Sequence, residues 1–256
     1  MLRSFGRCIK VDVMLFTQKY APRRLDDIVG NDEAKERIKQ WILNWMRGKK
    51  QKPLLIYGPP GVGKSAVAFA LKEEFDLELI EMNASDLRDK QHVERLLLNA
   101  MVNSSLFGKT KLLFIDDVDA LQKSDVGGSG AIAKLLNEAN APIILTATDI
   151  WEKKLSSIRN ACELIQFKRV SKPSIEKVLR NIIKNEGIVI NEETIEKIKE
   201  NASGDVRSAI NDLQAQTSSV RDREKDILER LLKVFKSMTY VDAKKAVEGD
   251  VDYNLL

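Results

Sequence analysis

The chain has 256 residues, 43% hydrophobic and 31% charged, with 42 basic against 38 acidic side chains and a net charge of +4. That is apolar material for one large domain or two smaller ones, and no apolar run nears the roughly 18 residues of a membrane span. The small positive excess fits a nucleic-acid partner and equally an ordinary soluble surface, and Cys8 and Cys162 make neither a disulfide framework nor a zinc spacing.

Residues 1–13 read as a flexible arm or an upstream start. Arg7, Lys10 and Asp12 interrupt any signal-peptide core, so the chain reads as cytoplasmic. A helix is expected next, because Ile38, Trp41, Ile42 and Trp45 keep the i, i+3, i+4, i+7 spacing, with Gly48 and lysines at its end. Strand-like runs then alternate with helical ones: PLLIY, GVGKSAVAFALKEEF, LELIEMN, KQHVERLLLNAM, KLLFIDDVD, GAIAKLLNEA, APIILTAT and the short ELIQF. Such alternation predicts an α/β fold with a parallel sheet covered by helices on both faces. His92 falls in a charged helical stretch, which favours a surface role over metal ligation.

Beyond Phe167 the pattern turns helical, with KPSIEKVLRNIIKNEG, NEETIEKIKENASG and DVRSAINDLQAQTSS as three successive helices. The expected division is a nucleotide-binding α/β domain over 14–169, a helical lid over 170–220 and the beginning of a further helical domain over 221–256. The last segment carries an amphipathic helix through Ile227, Leu228, Leu231, Leu232 and Phe235, and one or two helices do not bury their own apolar faces.

The chemistry begins at Gly58-Pro59-Pro60-Gly61-Val62-Gly63-Lys64-Ser65. This is a phosphate-binding loop in its required setting, after a strand and before a helix. Its glycines let backbone N–H groups curl around phosphate oxygens, and the helix N-terminus adds a positive end. Lys64 would meet the β- and γ-phosphates of ATP, and the Ser65 hydroxyl would ligate Mg²⁺. The apolar run Leu112-Leu113-Phe114-Ile115 ends on Asp116 and Asp117. A carboxylate at the end of a parallel strand lies where ligands bind, so Asp116 is expected on the Mg²⁺ side and Asp117 beside an attacking water. The run Ile143-Ile144-Leu145-Thr146-Ala147-Thr148 puts Thr148 at another strand tip, within reach of the γ-phosphate or water. Arg207, at the start of a lid helix after Gly204-Asp205-Val206, is placed to reach the γ-phosphate as the lid closes.

Together these elements resemble a AAA+ P-loop module, and within that class several strings resemble replication factor C. Lys19-Tyr20-Ala21-Pro22-Arg23 with Leu25-Asp26-Asp27-Ile28-Val29-Gly30 is similar to that family's segment around adenine, which implies Tyr20 and Val29 as base neighbours. Glu81-Met82-Asn83-Ala84-Ser85-Asp86 resembles its Asn-Ala-Ser-Asp stretch. Ser104-Ser105-Leu106-Phe107-Gly108 and Asp222-Arg223-Glu224-Lys225-Asp226-Ile227 resemble its large subunit in particular. The resemblance implies an ATP-dependent clamp-loader subunit, working with four small subunits to open a sliding clamp and load it on primer–template DNA. By position it implies Asp117 in the catalytic-acid place, Thr148 as the first sensor and Arg207 as the second.

The chain departs from the family pattern where Asp117 replaces the usual glutamate, and a misplacement of about 1 Å costs on the order of 100-fold in rate. Tight ATP binding with slow hydrolysis is therefore expected, and so is the alternative of an ATP-binding scaffold that hydrolyses poorly, or another AAA+ DNA-processing ATPase. Thr148 stands where asparagine is commoner. Ser157-Ile158-Arg159-Asn160-Ala161-Cys162 lacks the small subunits' Ser-Arg-Cys finger, so this subunit receives an arginine finger and gives none. The segment 221–256 reads as a truncated collar. Leu106 and Phe107 are either an exposed plug for the clamp or buried beneath the following strand. Arg88 and Lys90 are either phosphate contacts to DNA or solvated charges.

Overall fold

The structure, a computed structural model, describes residues 14–83, 109–120 and 141–215, with Ile132 and Leu136 between the last two. Five strands form one sheet: β1 (Leu54–Tyr57), β2 (Glu78–Asn83), β3 (Lys111–Asp116), β4 (Ile143–Ala147) and β5 (Glu163–Gln166). All pairings are parallel and the order is β2-β3-β4-β1-β5. β4 is thus central and β1 lies between β4 and β5, so the chain passes over β1 on the way from β4 to β5. The register sets Leu55 beside Leu145 and Leu164, and Met82 beside Ile115.

Parallel strands buried on both faces read as continuous apolar runs, and alternate residues here divide between two cores. Leu54, Ile56, Leu112, Phe114 and Ile144 pack under α2 (Asp32–Met46) and α3 (Lys64–Glu74), against Ile38, Trp41, Ile42, Val67 and Leu71. Leu55, Leu113, Ile115, Ile143 and Leu145 face the other way, onto Ile132, Leu136, Ile150, Leu155 and Ile158. Ile132 and Leu136 are helical and buried, within the expected GAIAKLLNEA helix. Ile158 belongs to α4 (Ser156–Ala161). α2 starts beside a left-handed Asn31, carries Asp32 and Glu33 in its first turn, and is followed by Gly48 at φ 75°, the charge and turn signals a helix of this kind requires.

The three expected lid helices are α5 (Lys172–Glu186), α6 (Glu192–Ala202) and α7 (Val206–Ala215). α5 opens with proline in its first turn and closes on left-handed Gly187. Asn191 caps α6 by accepting from the Thr194 amide at 2.9 Å. These helices have a core of their own, from Val170 through Ile175, Leu179, Ile198 and Leu213. A short helix the periodicity did not predict, α1 (Phe16–Lys19), completes that core with Phe16 and Tyr20. The Phe16 amide donates to the Gln214 side chain at 2.8 Å, and the Tyr20 hydroxyl donates to Glu186 at 2.5 Å beside a Lys19–Glu186 ion pair of 2.6 Å.

Cys162 is buried and unpaired, and burial pushes its thiol up to about 12, so it stays protonated and unreactive. No helix among the described residues is long and apolar enough to cross a membrane. The expected helix KQHVERLLLNAM, His92 and the segment 221–256 lie outside the described residues.

Phe114 is fully buried and meets Phe69 edge to face at 5.9 Å. Replacing it, Phe114→Ala, should cost about 3–5 kcal/mol, read as a lower midpoint in chemical denaturation.

Candidate functional site

The carboxyl edge of the sheet collects the polar residues. The loop leaving β1 turns tightly because its glycines carry no side chain. Gly58 sits at φ 146°, and a Cβ there would lie 2.0 Å from the Phe167 carbonyl oxygen. Gly61 is at φ 67°, and a Cβ there would lie 1.7 Å from the Asp205 carboxylate. The Gly61 carbonyl also accepts from the Val206 amide at 3.0 Å. Asp205 in turn accepts from the Ser208 amide at 2.8 Å, capping α7. The lid helix thus rests by its first turn on the loop.

Lys64 is 7% exposed and donates to the Gly58 and Pro59 carbonyls at 2.8 Å each. Burial lowers its pKa from the usual lysine value, and Asp117, Asp119 and Asp116 oppose that shift. The ammonium is therefore held in an acid-lined place on labile contacts to its own loop. Ser65, next in α3, donates to Asp116 at 2.9 and 3.1 Å to its two oxygens. This joins the phosphate loop to the tip of β3.

Asp117 follows on a left-handed backbone, φ 51°, and its amide donates to the Thr146 hydroxyl at 3.0 Å. Asp117 is exposed as a residue, but partial desolvation of its carboxyl, then Asp116 and Asp119, raise it above the ordinary aspartate value. Asp119 accepts from the Thr148 and Asp149 amides at 2.9 and 3.2 Å. Thr148 is exposed one residue beyond β4, fixed by its backbone. The buried hydroxyl of β4 is Thr146, which bonds Asp116. The strand pattern singled out Thr148 and passed over Thr146 and Asp119. The signal for Thr146 was present: it is the one polar residue in an otherwise apolar strand.

Beside the loop lies a cavity of about 570 Å³, a size that suits a small-molecule ligand. Tyr20 and Val29 form part of its wall on one side, Gly61 and Ser65 on another, and Arg207 and Ile210 of α7 on a third. Lys64 and Asp117 both feel the charge of Arg207. Arg159 is turned onto its own surroundings, donating to the Ile150 carbonyl at 2.8 Å with its guanidinium 5.1 Å from the Trp151 ring. Arg88, Lys90, Leu106 and Phe107 lie outside the described residues.

The donor set fits a nucleotide with magnesium. The glycine cradle has no room for a Cβ at Gly58 or Gly61 and runs directly into the N-terminus of α3, the arrangement that favours an anion. Magnesium keeps several waters and takes only one or two protein oxygens beside phosphate. The Ser65 hydroxyl and Asp116 carboxylate, 2.9 Å apart on two elements, supply that pair. No cluster of three or more acidic, histidine or cysteine side chains suited to a metal occurs among the described residues, and a phosphate-anchored magnesium does not need one.

Residues 54–167 match the AAA family, the ATPases associated with various cellular activities. The replication factor C large subunit of Thermofilum pendens is 45% identical over 210 residues, which cover 81% of this chain and 51% of that protein. The replication factor C large subunit of Sulfolobus acidocaldarius is 39% identical over 256 residues, covering 93% of this chain and 59% of that protein. The chain thus spans between half and three-fifths of the length of these relatives. Among solved structures, the RuvB Holliday junction branch migration motor of Thermotoga maritima superposes with a TM-score of 0.59 at 21% identity, over 90% of this chain and 72% of that one, a likeness of fold.

The raised Asp117 pKa carries a pH consequence. A carboxyl whose folded value exceeds its unfolded one adds stability that is complete below the unfolded value and is lost as pH rises through the folded value. Ionised Asp117 is therefore a cost at neutral pH, and asparagine also tolerates the left-handed backbone. Asp117→Asn should melt higher than the parent at pH 7, and the gap should close as pH falls towards about 4. Thermal melts across that range check it.

Proposed function

Because the chain belongs to the AAA ATPase family, as a relative of the replication factor C large subunits, we propose that it binds ATP with magnesium and serves as an ATP-dependent clamp-loader subunit. The observation that carries the reading is the Ser65 hydroxyl within 2.9 Å of Asp116, directly after the glycine loop. In this reading Lys64 exchanges the Gly58 and Pro59 carbonyls for the β- and γ-phosphates, and the loop amides from Gly58 to Ser65 surround the phosphate chain. Ser65 and Asp116 hold magnesium, whose contribution is to neutralise charge on the phosphoryl oxygens. Tyr20 and Val29 flank the base, supported by their place in the cavity wall.

Asp117 orients the attacking water and takes up its proton at Oδ; the raised pKa favours that role. Thr148, anchored through Asp119, and Arg207, in the wall from the lid side, contact the γ-phosphate end. The docking of the lid on Gly61 supports a lid that senses the occupied loop. The separate core of α5, α6 and α7 supports a division near residue 169; that 1–13 is an extension and 221–256 the start of a collar is proposed from the sequence alone.

The proposed partners are small subunits, one large to four small, a sliding clamp and primer–template DNA. Arg159, engaged by Ile150 and Trp151, supports a subunit that donates no arginine finger. Leu106 and Phe107 are the proposed clamp contact, and Arg88 and Lys90 the proposed DNA phosphate contacts. A second reading, an ATP-binding scaffold with little hydrolysis, is favoured by Asp117 itself, which is short, exposed and on a left-handed backbone.

Phosphate release by the chain with small subunits, clamp and DNA separates the two readings. Under the first, Lys64→Ala abolishes nucleotide binding, and Asp117→Glu raises turnover by up to about 100-fold. An Asp117→Glu rate at or below that of the parent refutes the slow-site proposal. A parent rate equal to that of Lys64→Ala assigns the chain as a scaffold.

A further inference from the structure

Every other residue of β4, from Ile143 to Ala147, is buried and apolar, and Thr146 is fully buried among them. Its partner in register on β1 is Ile56, which belongs to the sheet core. Packing alone would place valine there, because a buried hydroxyl costs free energy unless it is hydrogen-bonded. Here it is fully used. Its proton goes to Asp116 Oδ1, and its lone pair accepts the Asp117 amide at 3.0 Å. One side chain thus fixes the carboxylate at the tip of β3 and the left-handed turn that follows it.

Two hydroxyls converge on the Asp116 carboxylate. Ser65 and Thr146 are its described side-chain donors. A hydroxyl that ligates a metal offers an oxygen lone pair to the ion and turns its proton away from it, so its donor geometry changes when the metal arrives. Ser65 is placed to make that exchange. Thr146, inside the sheet, is not.

We propose that Thr146 is a positioning residue for magnesium: it holds the Asp116 carboxylate in its ligating orientation while the Ser65 hydroxyl turns a lone pair to the ion, and sets Asp117 through the same oxygen. This rests on the nucleotide-binding reading above. Hydrogen-bond partners of metal ligands are worth about 10- to 100-fold in metal affinity or activity. The bond to Thr146 does not depend on how the Ser65 hydroxyl is turned, so the effect belongs to the magnesium-dependent part of nucleotide affinity.

The test is equilibrium binding of a fluorescent ATP analogue to the 256-residue chain, in EDTA and across a magnesium titration. Thr146→Val keeps shape and removes both bonds, Thr146→Ser restores the hydroxyl, and Thr146→Ala repeats the loss should valine not fold. In EDTA all variants should bind within about twofold of the parent. The magnesium midpoint should rise about 10- to 100-fold in Val and Ala and return to the parent value in Ser. A Val or Ala variant that follows the parent's magnesium dependence overturns the proposal. So does one weakened equally in EDTA, which marks a merely structural role, or a Ser variant that behaves like Val. A parent chain with no affinity for the analogue removes the nucleotide reading and this inference with it, whereas a parent that binds beside an unaffected Val removes only this inference.

Discussion

The architecture of the site depends on two places where no side chain fits. At Gly58 the backbone comes so close to the end of β5 that any Cβ would overlap the Phe167 carbonyl, and at Gly61 it would overlap the carboxylate that caps α7. The loop between them is therefore pressed from the sheet on one side and from the lid on the other. Glycine is the residue that meets such a constraint, since it accepts both the close approach and the positive φ. The consequence is mechanical as well as chemical, because the lid's first turn hydrogen-bonds to the same loop that is shaped to hold phosphate.

Charge is arranged around that loop in a balance. Three aspartates within four positions, Asp116, Asp117 and Asp119, face one buried lysine. Burial lowers the pKa of Lys64 and its acidic neighbours oppose that shift, and its ammonium is satisfied by carbonyls that phosphate oxygens can replace without leaving it unpaired. Asp119 is taken up by two amides at the end of β4, and Asp116 by two hydroxyls. Asp117 is the exposed residue of the three, and its raised pKa is the condition of a group available to accept a proton.

The N-terminal segment joins the two domains. Phe16 and Tyr20 complete the lid core, the Tyr20 hydroxyl and Lys19 share Glu186 of α5, and Tyr20 also walls the cavity. A few residues later, Leu25 and Ile28 enter the core of the sheet domain. Ile28 is anchored there by buried Lys35, which donates to its carbonyl at 2.7 Å. One continuous stretch therefore has its first half on the lid and its second half on the sheet, with the cavity between them. Any movement of α5 and α7 relative to the loop must bend it.

Much of this was legible in the sequence for a local reason. The five strands and the five longer helices, α2, α3, α5, α6 and α7, announced themselves by apolar runs, period and end signals, all set by neighbours within a few residues. The glycine loop, Asp116 and Arg207 stood out as candidates because a strand, a glycine turn and a helix start are read in one window. The strand order, with β1 between β4 and β5, was not, since pairing joins residues nearly a hundred positions apart. Nor was α1, whose four residues are helical because they pack on α7. Thr146 and Asp119 were overlooked for the same cause: a threonine in a strand and an acid after one look ordinary until β3 and β4 lie side by side. Sequence singled out the residues proposed to carry the chemistry of phosphate, because that chemistry needs fixed residue types at fixed spacing. Only the tertiary structure decided which buried groups hold them in place, because a hydrogen bond across two strands has no period to betray it.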